Sequence, residues 1–109
     1  AAQLTGMLDY IASKAPDSAA FGNKNVYVSE LGVPEAVYGS GSGAILAAYA
    51  KKALAWGSPV VNLWALHDNE CTSYLPTTAS GCPGYWMRMP DMTLSGLYQA
   101  VLSAFKTNE

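Results

Sequence analysis

The spacing of apolar residues along the chain predicts three helices. In residues 3–15, QLTGMLDYIASKA, apolar side chains recur every three or four positions, as on one face of a helix. Residues 44–57, AILAAYAKKALAWG, form a second helical pattern, with Ser42 as a candidate cap and Gly57 at the position beyond the last turn that glycine favours. Residues 93–105, TLSGLYQAVLSAF, form the third and last predicted helix.

Two other apolar runs have the composition of strands. Residues 25–30, NVYVSE, carry β-branched and aromatic side chains that suit a pleated surface. Residues 58–68, SPVVNLWALHD, are almost continuously apolar, which predicts a strand buried on both faces. Residues 84–90, GYWMRMP, are predicted to be a short extended piece, and residues 32–43, GVPEAVYGSGSG, a loop.

The predicted elements follow the order α-β-α-β-α within a single domain, residues 1–109. Two strands joined by one helix of this length have to be parallel, because the crossover returns the chain to the same end of the sheet. The predicted fold class is therefore α/β. Two parallel strands leave both sheet edges open, so the chain resembles part of a larger sheet.

Composition narrows the classes of partner. Half of the 109 residues are hydrophobic and 13% are charged, well below the roughly 25% usual in soluble domains. This shortage of charge predicts a surface partly covered by further copies of the chain, as a dimer or higher homo-oligomer. A net charge of −2 with scattered basic residues favours no nucleic-acid partner. No membrane span is predicted, because Lys51 and Lys52 interrupt the longest apolar run.

The two cysteines indicate the redox compartment. Cys71 and Cys82 bracket the turn-rich segment TSYLPTTASG, which favours a disulfide over two free thiols. A disulfide around a loop of this size would contribute roughly 2–3 kcal/mol and predicts a secreted or extracytoplasmic protein.

The chain begins without Met, so we expect it to be processed or to be an internal piece. The lone His67 and the cysteines lack paired ligand spacing, so neither a metal nor a cofactor is predicted.

Chemically capable side chains follow both predicted strands. The first strand ends in Glu30, and the second ends in Trp64 followed by His67, Asp68 and Glu70. Aromatic faces suit the apolar C–H faces of sugar rings, and paired carboxylates are the groups that hydrolyse glycosidic bonds. This combination favours a carbohydrate site, to which the aromatic pair Tyr85 and Trp86 would also contribute.

The segments VYVSELGVPE, VVNLWALHDNE and GYWMRMPDMTLSGLYQAV carry a family resemblance. They resemble the last two βα units of retaining glycoside hydrolases of the large (β/α)₈-barrel clan that contains many cellulases. The resemblance implies a partial (β/α) barrel, with Glu30 as nucleophile at the end of strand seven. It also implies that Trp64 forms the floor of the −1 sugar subsite, often through a cis peptide to the next residue. The clan's acid/base, a Glu after an Asn on strand four, has no counterpart here.

The candidate residues keep alternative interpretations. Glu30 and Glu70 are the catalytic candidates, although each could be a solvated carboxylate. The candidate substrate contacts are Trp64, His67, Asp68, Tyr85 and Trp86. By the alternative interpretation, Trp64 is a core residue and His67 is a structural histidine. Only one of Tyr85 and Trp86 is expected to line a cleft, because adjacent side chains of an extended segment point to opposite sides. Glu35 is expected to be a surface charge.

Three functions follow from these residues. The leading one is a retaining endo-β-1,4-glucanase-like enzyme acting on a poly- or oligosaccharide, with its acid/base supplied by Glu70 of a second copy or from within the chain. The second is a non-catalytic carbohydrate-binding module that uses the aromatic residues as a platform. The third is an inactive barrel fragment that serves only in assembly.

Overall fold

A computed structural model describes residues 2–14, 26–67 and 83–106 of the chain. The described part is mixed α/β, with three longer helices and two parallel strands. This much of the predicted fold class is confirmed. The elements are α1 (Ala2–Ala12), β1 (Val28–Leu31), α2 (Glu35–Tyr38), a 3-10 turn (Gly39–Gly41), α3 (Ser42–Trp56), β2 (Val61–Leu63) and α4 (Gly96–Lys106).

The second strand is shorter than predicted and is not buried on both faces. It covers Val61–Leu63, with Asn62 exposed and its two neighbours half-buried. The start of the apolar run, residues 58–60, is a bend instead of a strand, and two hydrogen bonds of Ser58 hold it. The Ser58 amide donates to the Ala53 carbonyl at 3.1 Å. The Ser58 hydroxyl donates to the Val60 carbonyl at 2.8 Å.

The predicted loop over residues 32–43 contains a short helix. Pro34 precedes α2 with φ −73°, and its carbonyl accepts from the amides of Val37 and Tyr38, both at 3.2 Å. A four-residue helix has no periodic apolar pattern, which is why the sequence does not predict it. The capping role predicted for Ser42 is also wrong: Ser42 is itself the first residue of α3, with helical φ −57° and ψ −39°, and its hydroxyl donates back to the Gly39 carbonyl.

The chain divides into two compact units, Ala1–Leu31 with Ala48–Asn62, and Gly32–Ala47 with Leu63–Glu109. In the first unit, Leu8 of α1, Val26 and Ala53 of α3 form a buried cluster. The partly buried residues packed against it are Leu4, Ala12, Val28, Trp56 and Val61. The Trp56 indole also donates to the Asp9 carboxylate at 2.7 Å, which joins the end of α3 to α1.

In the second unit, Trp86 and Met89 form a buried cluster.

Helix α4 begins three residues later than predicted, at Gly96, because Ser95 caps it. The Ser95 hydroxyl accepts from the Tyr98 amide at 3.0 Å, which satisfies one of the amides left unpaired at a helix start. Gly43, near the start of α3, lies directly against the backbone of α4.

We expect Gly43→Ala to destabilise the protein. A methyl group at Gly43 would lie 2.6 Å from the Ala100 Cβ and 2.7 Å from the Leu97 carbonyl oxygen, and such overpacking costs roughly 1–3 kcal/mol. This should exceed the gain of about 1 kcal/mol in helix propensity. The denaturant midpoint measures the effect. Gly96→Ala is the control, because nothing lies within 4 Å of that position; equal midpoints for the two variants would contradict the packing argument.

Candidate functional site

Trp86 anchors the segment that carries the candidate aromatic residues. Its side chain is 1% exposed, and its indole Nε1 donates to the Glu35 Oε2 at 2.9 Å. Its carbonyl oxygen accepts from the Ser95 hydroxyl at 2.7 Å. Both the ring and the backbone of Trp86 are therefore fixed, the first by α2 and the second by the residue that caps α4.

The segment around Trp86 runs beside the residues that follow β2. The Ala65 amide donates to the Tyr85 carbonyl at 3.3 Å, and the Ala65 carbonyl accepts from the Met87 amide at 2.8 Å. The Leu66 carbonyl accepts from the Arg88 amide at 2.9 Å. Residues 84–90 are predicted to be a short extended piece, but this pairing with another segment is not predicted. The bonds place the backbone of Tyr85 next to the end of the β2 segment.

Trp64 occupies the position directly after β2. Its side chain is 48% exposed, so the alternative interpretation of Trp64 as a core residue does not fit the structure. The peptide bond between Trp64 and Ala65 is cis, the geometry that the family resemblance implies for this position.

Tyr85 lies against Gly32, in what we call the Gly32 cluster (Gly32, Trp64 and Tyr85). A Cβ built on Gly32 would stand 2.8 Å from the Tyr85 Cδ1, 3.1 Å from its Cε1 and 3.2 Å from the Trp64 carbonyl oxygen. The Tyr85 ring, which is partly exposed, therefore packs directly against the backbone of Gly32. No pattern in the sequence predicts this contact.

The two neighbouring aromatic residues differ in exposure as expected. Tyr85 is partly exposed, whereas Trp86 is enclosed with its indole bonded to Glu35. The sugar contact predicted for Trp86 does not fit this placement, because no face of a 1% exposed ring is open to a ligand. Of this pair, Tyr85 is the residue that remains a candidate.

Glu30 and His67 are both exposed. Glu30 is the third residue of β1, between the exposed Ser29 and the half-buried Leu31, so its carboxylate is open to solvent at the carboxyl end of the strand. His67 is the last described residue after β2. The other predicted site residues lie outside the described residues: Asp68, Glu70, Cys71 and Cys82.

Glu35 has a role that differs from the surface charge expected. Its carboxylate is partly buried and accepts from Trp86. Its amide donates to the Gly84 carbonyl at 3.4 Å. Gly84 has φ +77°, and a Cβ there would stand 2.9 Å from the Glu35 Cβ. The one signal in the sequence was indirect, since a buried indole N–H needs an acceptor.

The carboxylate of Asp91 is engaged by a neighbouring residue. The hydroxyl and the amide of Thr93 donate to the Asp91 carboxylate at 2.6 and 3.0 Å, and these bonds lower the pKa of Asp91.

Among residues 2–14, 26–67 and 83–106, no group of three or more His, Cys, Asp or Glu could hold a metal ion. In the same residues, no helix is long and apolar enough to cross a membrane.

Comparison with family models, curated proteins and solved structures gave no match to this chain. The resemblance to retaining glycoside hydrolases therefore rests on the short segments VYVSELGVPE, VVNLWALHDNE and GYWMRMPDMTLSGLYQAV alone.

We expect Glu35→Ala to destabilise the protein by roughly 1–3 kcal/mol, because it leaves the buried Trp86 N–H without its acceptor. Glu35→Gln keeps a carbonyl oxygen in that place and should cost less. The denaturant midpoint, followed by tryptophan fluorescence, measures both. Glu30→Ala is the control, since its side chain is exposed. A Glu35→Ala chain as stable as the Glu30→Ala chain would contradict the anchoring role of this bond.

Proposed function

We propose that the protein is a retaining glycoside hydrolase, similar to cellulases and endo-β-1,4-glucanases, built on part of a (β/α) barrel. The observation that carries this proposal is that each of the two strands has an exposed, chemically capable side chain at its carboxyl end. Glu30 is exposed within β1, and Trp64 is exposed directly after β2. Active-site residues of (β/α) barrels come from the carboxyl ends of the strands.

In this proposal Glu30 is the nucleophile. Its carboxylate attacks the anomeric carbon and forms a glycosyl–enzyme bond, while the bond to the leaving oxygen breaks and a carboxylic acid protonates that oxygen. The same acid, now a carboxylate, then takes a proton from a water molecule whose oxygen attacks the anomeric carbon. The bond between that carbon and Glu30 breaks, which frees the Glu30 carboxylate and releases the sugar with retained configuration. The mechanism requires the two carboxyl groups to stand about 5–5.5 Å apart.

Aromatic and polar side chains bind the substrate in this proposal. Trp64 and Tyr85, both with exposed ring surface, stack on the C–H faces of glucosyl units. His67, which is exposed, and Asp68 donate and accept hydrogen bonds with sugar hydroxyls. Trp86 has no place in the substrate set, because its ring is enclosed.

We also propose a homo-oligomer in which a second copy supplies the acid, with Glu70 as its source. The (β/α)₈ barrel is treated as two half-barrels, so strand eight of one copy takes the place of strand four for another. Within the described residues the sheet has two strands, which leaves edges for another copy to pair with. The exposed apolar residues Met7, Tyr10 and Ile11 of α1 also favour a covering chain. A Cys71–Cys82 disulfide and a secreted location complete the proposal.

A non-catalytic carbohydrate-binding module is the second candidate. The observation that favours it is the exposure of Trp64 and Tyr85, since exposed aromatic residues are all that a stacking platform requires. Such a module would bind β-glucan without releasing reducing ends.

We expect Glu30→Ala and Glu30→Gln to lower the turnover of soluble β-1,4-glucan by several orders of magnitude while the circular dichroism spectrum stays unchanged, because both remove the nucleophile. Ser29→Ala is the matched control: the neighbouring side chain is also exposed, and this variant should hydrolyse normally. Reducing-sugar release measures all three. Near-normal hydrolysis by Glu30→Ala would exclude Glu30 as the nucleophile, and glucan binding without turnover by the unmodified chain would favour the binding module.

We expect inactive Glu30→Ala chains and inactive Glu70→Ala chains to recover part of the activity when they are mixed and exchange subunits. One shared site of a mixed assembly would then hold both wild-type carboxylates. Mixing Glu30→Ala chains with chains that carry both substitutions is the control and should restore nothing. Absence of recovery despite exchange demonstrated by mass, or full activity in a monomer, would contradict the shared site.

A further inference from the structure

The position of the Tyr85 backbone is determined by its neighbours. Its carbonyl accepts from the Ala65 amide at 3.3 Å. On one side Gly84 has its positive φ and lies against Glu35, and on the other Trp86 is bonded through its ring and its carbonyl. The backbone of Tyr85 is therefore held on both sides, so a displacement forced on the residue has to be taken up by its side-chain torsions.

The absence of a side chain at Gly32 leaves the space that the Tyr85 ring occupies. The described glycines with positive φ are Gly39, Gly57 and Gly84, and Gly32 is not among them, so its backbone would accept any residue. What excludes a side chain is the Tyr85 ring at 2.8 Å from the Cβ position, with the Trp64 carbonyl oxygen at 3.2 Å. A methyl group at Gly32 would push against a ring edge and a backbone oxygen at once.

We infer that Gly32 is a positioning residue: by having no side chain it seats the Tyr85 ring beside the Trp64 backbone as the second aromatic surface for a β-linked glucan chain. The inference rests on the proposed function for its ligand. A methyl at Gly32 would force the Tyr85 side chain into another torsion, because the backbone is held. The ring face that stacks on a sugar would then be lost, while Glu30 would keep its chemistry.

The test measures the binding of cellotetraose by tryptophan fluorescence and its hydrolysis by reducing-sugar release. We expect Gly32→Ala to raise the Kd and the KM about 3- to 10-fold, the range of one aromatic stacking contact, with kcat changed less than about twofold, since only binding is lost. Tyr85→Ala should have a similar effect, whereas Tyr85→Phe, which keeps the ring, should bind as the unmodified chain does.

A double-variant cycle separates positioning from general destabilisation. If Gly32 acts through Tyr85, the chain carrying both Gly32→Ala and Tyr85→Ala should bind no more weakly than Tyr85→Ala alone. Gly96→Ala is the matched control, because nothing lies within 4 Å of the added methyl, and its binding should be unchanged. Additive effects, or an unchanged Kd in Gly32→Ala, would overturn the inference.

The remaining outcomes are also decisive. If Gly32→Ala does not fold, the comparison of Tyr85→Ala with Tyr85→Phe replaces it: loss of binding only in the alanine variant supports the seated ring, and equal binding in both overturns it. An unmodified chain that binds and cleaves cellotetraose, with no effect in these variants, refutes the inference and leaves the proposed function standing. An unmodified chain that neither binds nor cleaves cellotetraose refutes both.

Discussion

The hydrogen bond from the Trp86 indole to Glu35 is the interaction on which the arrangement of the second unit depends. A buried N–H that loses its acceptor costs roughly 1–3 kcal/mol, against a net gain of about 0.5–1.5 kcal/mol from an average hydrogen bond, so the two side chains have to be placed together. Glu35 comes from α2, and the Trp86 carbonyl is held by the residue that caps α4. One tryptophan therefore connects a short helix, a long helix and the strand-like segment that carries Tyr85.

The same bond explains why Tyr85, and not Trp86, has the exposed ring of the two neighbours. With Trp86 turned inward, the alternation of an extended segment turns its neighbour Tyr85 to the other side. There it meets Gly32, where a side chain would not fit. A carboxylate that takes no part in the proposed chemistry thus determines which aromatic ring can meet a ligand.

The sequence predicted the parts of this structure that depend on local pattern. The three longer helices and two strands follow from apolar spacing and β-branched composition, and the exposure of Glu30 and Trp64 follows from their places at the strand ends. What the sequence could not predict depends on contacts between distant residues. The choice of Trp86 over Tyr85 as the buried ring needed Glu35, 51 positions away. The packing of the Tyr85 ring against Gly32 depends on two segments that are far apart in the sequence. The start of α4 was predicted too early because the capping role of Ser95 was not recognised.

The dual hydrogen bonding of Ser95 has a consequence for how the second unit forms. One hydroxyl group both accepts from the first turn of α4 and donates to the Trp86 carbonyl. Nucleation is the unfavourable step in helix formation, because several residues are fixed for the first bond. Since the group that assists nucleation is oriented by the tryptophan segment, the start of α4 and the enclosure of Trp86 are coupled into one cooperative event. Fraying of the first turn of α4 would accordingly be limited by release of the tryptophan.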